Sequence, residues 1–300
     1  MPGKFFNLFI QLMLLTQLWS LCNTEPIKGQ NAISVQMTAY PYVVVIYKRD
    51  NLNSEWKRHC TGSLVSPNRV LTAGRCLEGF NPSDLQVISG TTEARSVNHK
   101  RFDVREMTTY KQWSKNQKDS RLDEFSQDIG ILELSVDDTG IKPGRFDYAE
   151  KLQKPGCRVR LIGWGTDDYG FQPWIPRGVF MDIQKEEVCQ EKIKKYFSAM
   201  EKSLSSKRIL CVSSNPPSYG SDADFGGPLI AESKRTIVGI LIRPCPMDEE
   251  CQIKEGQPNV MLRLHDFGKF IYHIIREPIN GVTRELSDID NRIPSIGSGK

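Results

Sequence analysis

Residues 42–47 read YVVVIY, a continuous run of β-branched and aromatic side chains that is typical of a buried strand. Similar short apolar runs recur along the chain, separated by glycine, proline, asparagine and aspartate. They lie at residues 62–65, 70–72, 85–89, 129–134, 159–162, 178–183, 229–230 and 236–242. Many short strands with turn residues between them predict an all-β sandwich or barrel, and they argue against alternating strands and helices.

Two segments have helical spacing instead. Residues 186–197 are rich in charge, and residues 266–275 carry apolar side chains at helical spacing behind Asp266, which is a candidate N-cap. The polar stretches at 111–126 and 213–220 predict exposed loops. We therefore expect a β-rich fold with one helix in its second half and another near its end.

The composition excludes several classes of protein. Hydrophobic residues make up 39% of the chain and charged residues 25%, as in ordinary soluble globular proteins. A net charge of +4 over 300 residues is too small to indicate a nucleic-acid partner. The chain has 4 histidines and no dense Cys/His cluster, so we expect no metal and no cofactor.

The first 22 residues predict a secretory signal peptide. Lys4 precedes a short, mostly apolar run over residues 5–21, and small residues fit cleavage after Cys22. The alternative is a membrane anchor, but the run is short for a membrane span and no basic cluster follows it. We therefore predict a secreted, extracellular protein with no membrane span, in which disulfides are the default state of cysteine. Residues 277–300 are polar and predict a flexible tail.

Seven segments, taken in order, resemble the trypsin/chymotrypsin-like serine protease family. They are residues 27–32 (IKGQNA), 60–65 (CTGSLV), 70–76 (VLTAGRC), 128–134 (DIGILEL), 163–165 (GWG), 224–229 (DFGGPL) and 258–260 (PNV). The resemblance covers residues 27–276 and implies two six-stranded antiparallel β-barrels with a site between them. It implies an N-terminal barrel over residues 27–145, a C-terminal barrel over 155–265 and a terminal helix over 266–276.

The resemblance places the catalytic triad of that family at Arg75, Asp128 and Phe225. In the family a serine attacks the substrate, a histidine takes the serine proton and an aspartate orients the histidine. Here the aspartate is kept, whereas Arg75 stands at the histidine position and Phe225 at the serine position. A phenyl ring has no lone pair, and a guanidinium stays protonated in proteins and so is no general base near neutrality. We therefore predict that the chain is not an enzyme but a pseudo-protease.

Relocated catalysis through Ser221 or His59 is the alternative. The resemblance places Ser221 where the family has a disulfide cysteine, and His59 is next to Cys60 on a predicted strand. We expect the Arg75 guanidinium to pair with the Asp128 carboxylate. In the other arrangement the Arg75 side chain extends into solvent.

The resemblance also locates the specificity pocket. It places Tyr219 at the base of the pocket and Arg243 at its wall, and two such large side chains predict a plugged cleft. Asp224 matches the aspartate that binds the new amino terminus of activated relatives. Because Pro26 precedes Ile27, we do not expect a trypsin-like protease to cut there. We therefore expect Asp224 to accept hydrogen bonds from backbone N–H groups.

Two disulfides follow from the resemblance, Cys60 with Cys76 and Cys189 with Cys211. The remaining cysteines of the mature chain, if Cys22 leaves with the signal peptide, are Cys157, Cys245 and Cys251. In one arrangement Cys245 and Cys251 form a local bridge and Cys157 is free or intermolecular. In another, a retained Cys22 pairs with Cys157.

These expectations describe a secreted protease homologue, similar to the non-catalytic homologues of insects, that acts by binding proteins. The resemblance implies a cofactor or regulator of an extracellular proteolytic cascade in immune or reproductive fluid. Its expected partners are extracellular proteins, active serine proteases or their substrates among them. The alternatives are an active serine endopeptidase with an unorthodox site, and a glycan- or microbial-surface-binding module, which only the lysine-rich segment at 185–207 supports.

Overall fold

The computed structural model describes residues 32–51, 53–89, 100–115, 125–137, 140–147, 152–165, 175–197, 207–243 and 258–276. The predicted signal peptide, Ile27, the Cys245–Cys251 bridge and the tail at 277–300 lie outside the described residues and stay predictions. In this described part of the chain, no helix is both long and apolar enough to cross a membrane.

The first half of the chain forms a closed antiparallel barrel with the strand order β2-β3-β4-β7-β6-β5. Its strands are β2 (Val43–Lys48), β3 (Lys57–Ser66), β4 (Arg69–Thr72), β5 (Leu85–Ser89), β6 (Lys100–Thr109) and β7 (Gly130–Leu134). The run at residues 42–47 becomes β2, whose side chains from Val43 to Ile46 are almost fully buried. A continuous apolar run is therefore a core strand here.

The second half forms another antiparallel barrel, and the pairing of β8 with β9 closes it. Its strands are β8 (Arg158–Gly163), β9 (Arg177–Ile183), β10 (Ile209–Ser213), β11 (Pro228–Ala231), β12 (Thr236–Arg243) and β13 (Asn259–Arg263). The short strand β1 (Ala32–Ser34) adds to β9 and so ties the start of the described chain to this barrel. The prediction of two six-stranded antiparallel barrels is confirmed.

Three α-helices lie within the described residues. Helix α2 (Glu186–Tyr196) and helix α3 (Gly268–Arg276) were expected, whereas helix α1 (Tyr110–Lys115) lies in a stretch predicted to be a loop. The Tyr110 ring lies 4.9 Å from the ring of Phe267, just before α3, and 5.5 Å from that of Phe270 in α3, measured between centroids. Aromatic packing between distant segments therefore stabilises α1 where its polar local sequence predicts a loop.

Helix α3 of the chain terminus packs against the N-terminal barrel. Arg69 donates from Nε to the carbonyl of Ile274 near the end of α3, at 3.3 Å, and pairs through Nη2 with the buried Glu133 carboxylate at 3.0 Å. Because β4 and β7 carry Arg69 and Glu133 side by side, the buried ion pair fixes Arg69, whose hydrogen bond holds the helix. This contact and the α1 contact connect the end of the described chain to the N-terminal barrel.

Candidate active-site cleft

The N-terminal barrel places Arg75 and Asp128 next to each other. Arg75 lies in the 3-10 turn Gly74–Cys76, which follows β4, and Asp128 comes shortly before β7. Strands β4 and β7 pair with Thr72 opposite Gly130, so the residues beyond these ends face each other. Strand pairing thus joins side chains that are 53 positions apart in the sequence.

Arg75 and Asp128 form the expected ion pair. The Arg75 backbone N–H donates to Oδ1 of Asp128 at 2.8 Å, and Nε donates to Oδ2 at 2.5 Å. The Arg75 side chain is 27% exposed and that of Asp128 6%. Burial raises the pKa of the Asp128 carboxyl above its usual value, and the charge and hydrogen bonds of Arg75 act in the opposite direction. The carboxylate that would orient a histidine in the family therefore binds a permanent cation here.

Two phenyl rings enclose the Arg75 guanidinium. Its central carbon lies 4.7 Å from the ring centroid of Phe225 and 5.3 Å from that of Phe125. Each contact of this kind contributes about 0.5 to 1 kcal/mol at partly exposed positions. Arg75 is thus fixed between one carboxylate and two aromatic faces, and Phe225 is part of this stack.

The backbone around Phe225 is held tightly. The Phe225 carbonyl accepts a hydrogen bond from the backbone N–H of Thr61 at 2.9 Å. Gly226 follows with φ +77°, and a Cβ there would collide with the Thr72 hydroxyl and the Thr61 carbonyl. The turn therefore requires glycine and presents the Phe225 ring to Arg75. Arg75 supplies no titratable base and Phe225 supplies no nucleophilic atom. Hydrolysis by this chain therefore needs other residues for the nucleophilic attack and for the proton abstraction.

Asp224 accepts hydrogen bonds from the backbone, as expected. The backbone N–H groups of Gly165 and Ser221 each donate to its carboxylate at 2.7 Å, and the Ser221 hydroxyl donates at 3.0 Å. Burial of this carboxyl raises its pKa, and the hydrogen bonds from Ser221 and Gly165 oppose the shift. A side chain at Gly165 would overlap the carboxylate and the Ser221 hydroxyl, so glycine is required for this close approach.

The segment around Tyr219 is held by Asn259, a residue that sequence reasoning missed. Asn259 is fully buried, accepts at Oδ1 from the backbone N–H of Gly220 at 2.8 Å and donates from Nδ2 to the Ser218 carbonyl at 3.1 Å. It thereby holds the segment that carries the half-buried Tyr219. The sequence did contain a sign of this residue, because residues 258–260 read PNV where the similar family motif reads PGV. Asn259 thus fixes the backbone on both sides of Tyr219, and the plugged pocket stays a prediction.

Arg243 borders a cleft of about 210 Å³ that Arg75 and Asp128 also line. The residues that line it include Arg75, Glu78, Lys111, Phe125, Asp128 and Arg243. The structure therefore brings Arg243 to the Arg75–Asp128 pair, and the site has several charged side chains around a shallow space.

His59 and Ser221 have structural partners elsewhere. The His59 ring packs edge-on against Phe80 at 5.0 Å between centroids, and its Nε2 lies 3.1 Å from the carbonyl oxygen of Cys76. Burial lowers the pKa of His59 to about 4, with a further contribution from the nearby Lys48 charge. The Ser221 hydroxyl is bound to Asp224. These contacts give both residues a role in local packing.

Both implied disulfides are present. Cys60 and Cys76 bridge β3 to the turn that carries Arg75, with a Cα–Cα distance of 6.1 Å, and Cys189 and Cys211 bridge α2 to β10 at 5.3 Å. Cys157 is buried and belongs to neither of these bridges. Over the described ranges, no group of three or more His, Cys, Asp or Glu side chains is placed to hold a metal ion.

Comparisons with known proteins agree with this architecture. The family model described as Trypsin matches residues 30–271. The chain is 24% identical over 245 residues to a trypsin of Saccharopolyspora erythraea, a match covering 80% of this chain and 93% of the relative. It is 26% identical over 198 residues to hypodermin-B of Hypoderma lineatum, covering 61% and 66%. The structure of neuropsin, a serine protease of mouse brain, superposes with a TM-score of 0.63 at 17% identity, covering 81% and 98%, and shows the shared fold.

These matches correct one prediction. The prediction that the chain is not an enzyme is wrong by this comparison, because the matching family model and the relatives bear the names of proteases and point to an enzyme. They do not identify its catalytic residues. The prediction depended on two side chains, Arg75 and Phe225, whereas the comparisons draw on the whole domain, most of whose residues build the barrels.

Proposed function

Because the chain belongs to the trypsin family, we propose that it acts outside the cell by binding another protein at the cleft between its barrels. In this proposal it is a cofactor or regulator of an extracellular proteolytic cascade, and its partners are active serine proteases of the cascade or their substrates. The site has to be argued from its own residues, since one fold hosts many functions.

The observation that carries the proposal is the stack of Arg75 on Phe225 with the Asp128 ion pair. The three triad positions and Phe125 together form a fixed, partly exposed surface of one carboxylate, one cation and two rings. Arginine and aromatic side chains are enriched among the residues that dominate binding at protein interfaces. The site therefore has the chemistry of a contact surface.

The extracellular location has two supports. Disulfides persist in oxidising compartments, and Cys60–Cys76 and Cys189–Cys211 are both present. The composition of residues 1–22 is that of a signal peptide. Both features suit a protein that meets its partners in an extracellular fluid.

Affinity capture tests the proposal directly. The full chain, secreted by cultured cells and purified, is used to capture proteins from the native fluid of its organism, and each captured protein is then purified and titrated against it. We expect saturable binding that Arg75→Ala weakens and that Arg145→Ala, a change at an exposed arginine, leaves unchanged. Absence of saturable binding to any fluid protein would overturn the proposal.

A second candidate is an endopeptidase with an unorthodox site, and the protease names of the relatives favour it. It predicts that the purified chain hydrolyses peptide substrates and reacts with an active-site serine reagent. Loss of that activity on changing only position 75 or 225 would identify this cleft as the catalytic site. An activity that persists in both variants would place its nucleophile elsewhere.

A further inference from the structure

A second cleft adjoins the one beside Arg75. It has a volume of about 260 Å³ and shares Glu78 and Lys111 with the first cleft, so the two form one continuous depression. Its other walls include Phe80, Met107 and Lys115. We call this depression, from Arg243 through Arg75 to Lys115, the basic groove.

Cations outnumber carboxylates among the described side chains that line the basic groove. Its described lining contains four cations and two carboxylates, and Asp128 is already bound by Arg75. Lys111 approaches Glu78 only to 3.9 Å, and the two side chains are 50% and 47% exposed. An exposed pair of this kind contributes between about 0 and 1 kcal/mol. Lys111 can therefore exchange Glu78 for a carboxylate of a ligand at little cost.

The lysines of the groove are presented by a supported helix. Tyr110 and Trp113 of α1 pack on Phe270 of α3, with centroid distances of 5.5 and 5.7 Å. Ser114 is buried, while Lys111 and Lys115, one helical turn apart, are exposed. The packing fixes the inner side of α1 and leaves its two cations over the groove.

We propose that the basic groove binds an acidic peptide segment of a protein partner, whose carboxylates pair with Lys111, Lys115 and Arg243. Apolar walls at Phe80, Met107 and Phe125 suit the side chains between the carboxylates. Glu78 disfavours a uniformly sulfated glycan, because its carboxylate lies where both clefts meet. The inference rests on the proposed function and specifies the chemistry of the partner.

Fluorescence anisotropy with labelled peptides tests the inference. The probe is a peptide of alternating glutamate and leucine, and the matched probe has glutamine in place of glutamate. We expect the purified chain to bind the glutamate peptide at least about fivefold more tightly than the glutamine peptide, with a difference that salt reduces. Equal binding of the two peptides would overturn the inference.

Variants locate the site. We expect Lys111→Glu and Arg243→Glu each to weaken binding of the glutamate peptide by about fivefold, and Lys154→Glu, at an exposed lysine outside the groove, to leave it unchanged. Lys111→Gln removes the charge without adding a carboxylate beside Glu78, and thermal unfolding checks that each variant is folded. Equal weakening by Lys154→Glu would overturn the inference, as would binding of a heparin-derived oligosaccharide but not of the peptide.

The two proposals fail in different ways. If a captured partner binds the wild-type chain and Lys111→Glu, Arg243→Glu and Lys154→Glu equally well, the partner role stands and the basic groove is not its site. If the glutamate peptide binds with the expected dependence but no fluid protein is captured, the groove stands and the partner role fails.

Discussion

Asp128 and Asp224 are carboxylates of the two different barrels, and the chain accommodates them differently. Asp128, before β7 of the N-terminal barrel, is compensated by the Arg75 side chain. Asp224, before β11 of the C-terminal barrel, is compensated by backbone N–H groups of Gly165 and Ser221 and by a hydroxyl. One substitution, at Arg75, can therefore remove the full charge that pairs with Asp128. The main donors to Asp224 are backbone N–H groups, which a side-chain substitution does not remove.

Removing the cation is the strongest test of this contrast. We expect Arg75→Ala to lower the free energy of unfolding by about 3 to 5 kcal/mol, because it leaves the buried Asp128 carboxylate without its counter-charge. Urea unfolding measures the change, and Arg145→Ala, at an exposed arginine, is the control. If both variants lose the same stability, Arg75 does not compensate Asp128.

Replacing the other carboxylate is expected to cost less. Asp224→Asn should lower the free energy of unfolding by about 2 kcal/mol, because an amide oxygen still accepts part of the hydrogen bonds while its NH₂ group faces a donor. Relief of the buried charge offsets some of the loss. Asp182→Asn, at an exposed position, is the matched control in the same unfolding assay. A loss larger than that of Arg75→Ala would reverse the contrast.

A change of pH tests His59, which contacts Cys76 in the turn that carries Arg75. Burial lowers the pKa of His59 to about 4, from the ordinary 6.5. The unfolded chain therefore binds a proton more readily, so stability is fully present above about pH 6.5 and falls as the pH drops towards 4. We expect His59→Phe to remove much of this dependence in unfolding measured at several pH values. If the free energy of unfolding of His59→Phe depends on pH as steeply as that of the wild-type chain, other groups cause the dependence.

The smallest expected effect concerns the aromatic stack. Phe225→Leu keeps an apolar side chain but removes the ring under Arg75, and we expect it to cost about 1 kcal/mol. Phe125→Leu removes the more distant ring and should cost less, since its centroid lies 5.3 Å from the guanidinium carbon instead of 4.7 Å. Double-mutant cycles with Arg75→Ala isolate the two contacts. A coupling near zero for Phe225 would show that the stack is packing alone.

The sequence predicted many of the strands but missed elements that depend on distant partners. Continuous apolar runs such as residues 42–47 were recognisable because core strands bury every side chain. Helix α1 was missed because it is short and mostly polar, and its stability comes from its two aromatic residues, Tyr110 and Trp113, which pack on the distant Phe267 and Phe270. Residue type and local spacing contain little information about such contacts.

The candidate site divides in the same way. Motif resemblance assigned Arg75, Asp128 and Phe225 to the triad positions and paired the cysteines of both disulfides. It did not find Asn259, although PNV in place of PGV was a visible departure, because a single asparagine does not reveal that the Ser218 carbonyl and the Gly220 N–H would be its partners. The spacing of residues along the chain also gave no indication that the Phe125 ring would pack on Arg75.

The sequence alone determined which chemistry each position has available: a permanent cation at 75, a carboxylate at 128 and a ring without a nucleophile at 225. Those properties belong to single side chains and need no neighbours. Only the tertiary structure decided that the cation binds that carboxylate, lies between two rings and borders a groove with Lys111 and Arg243. The physical reason is that barrel closure, and not chain proximity, sets the distances between residues far apart in sequence.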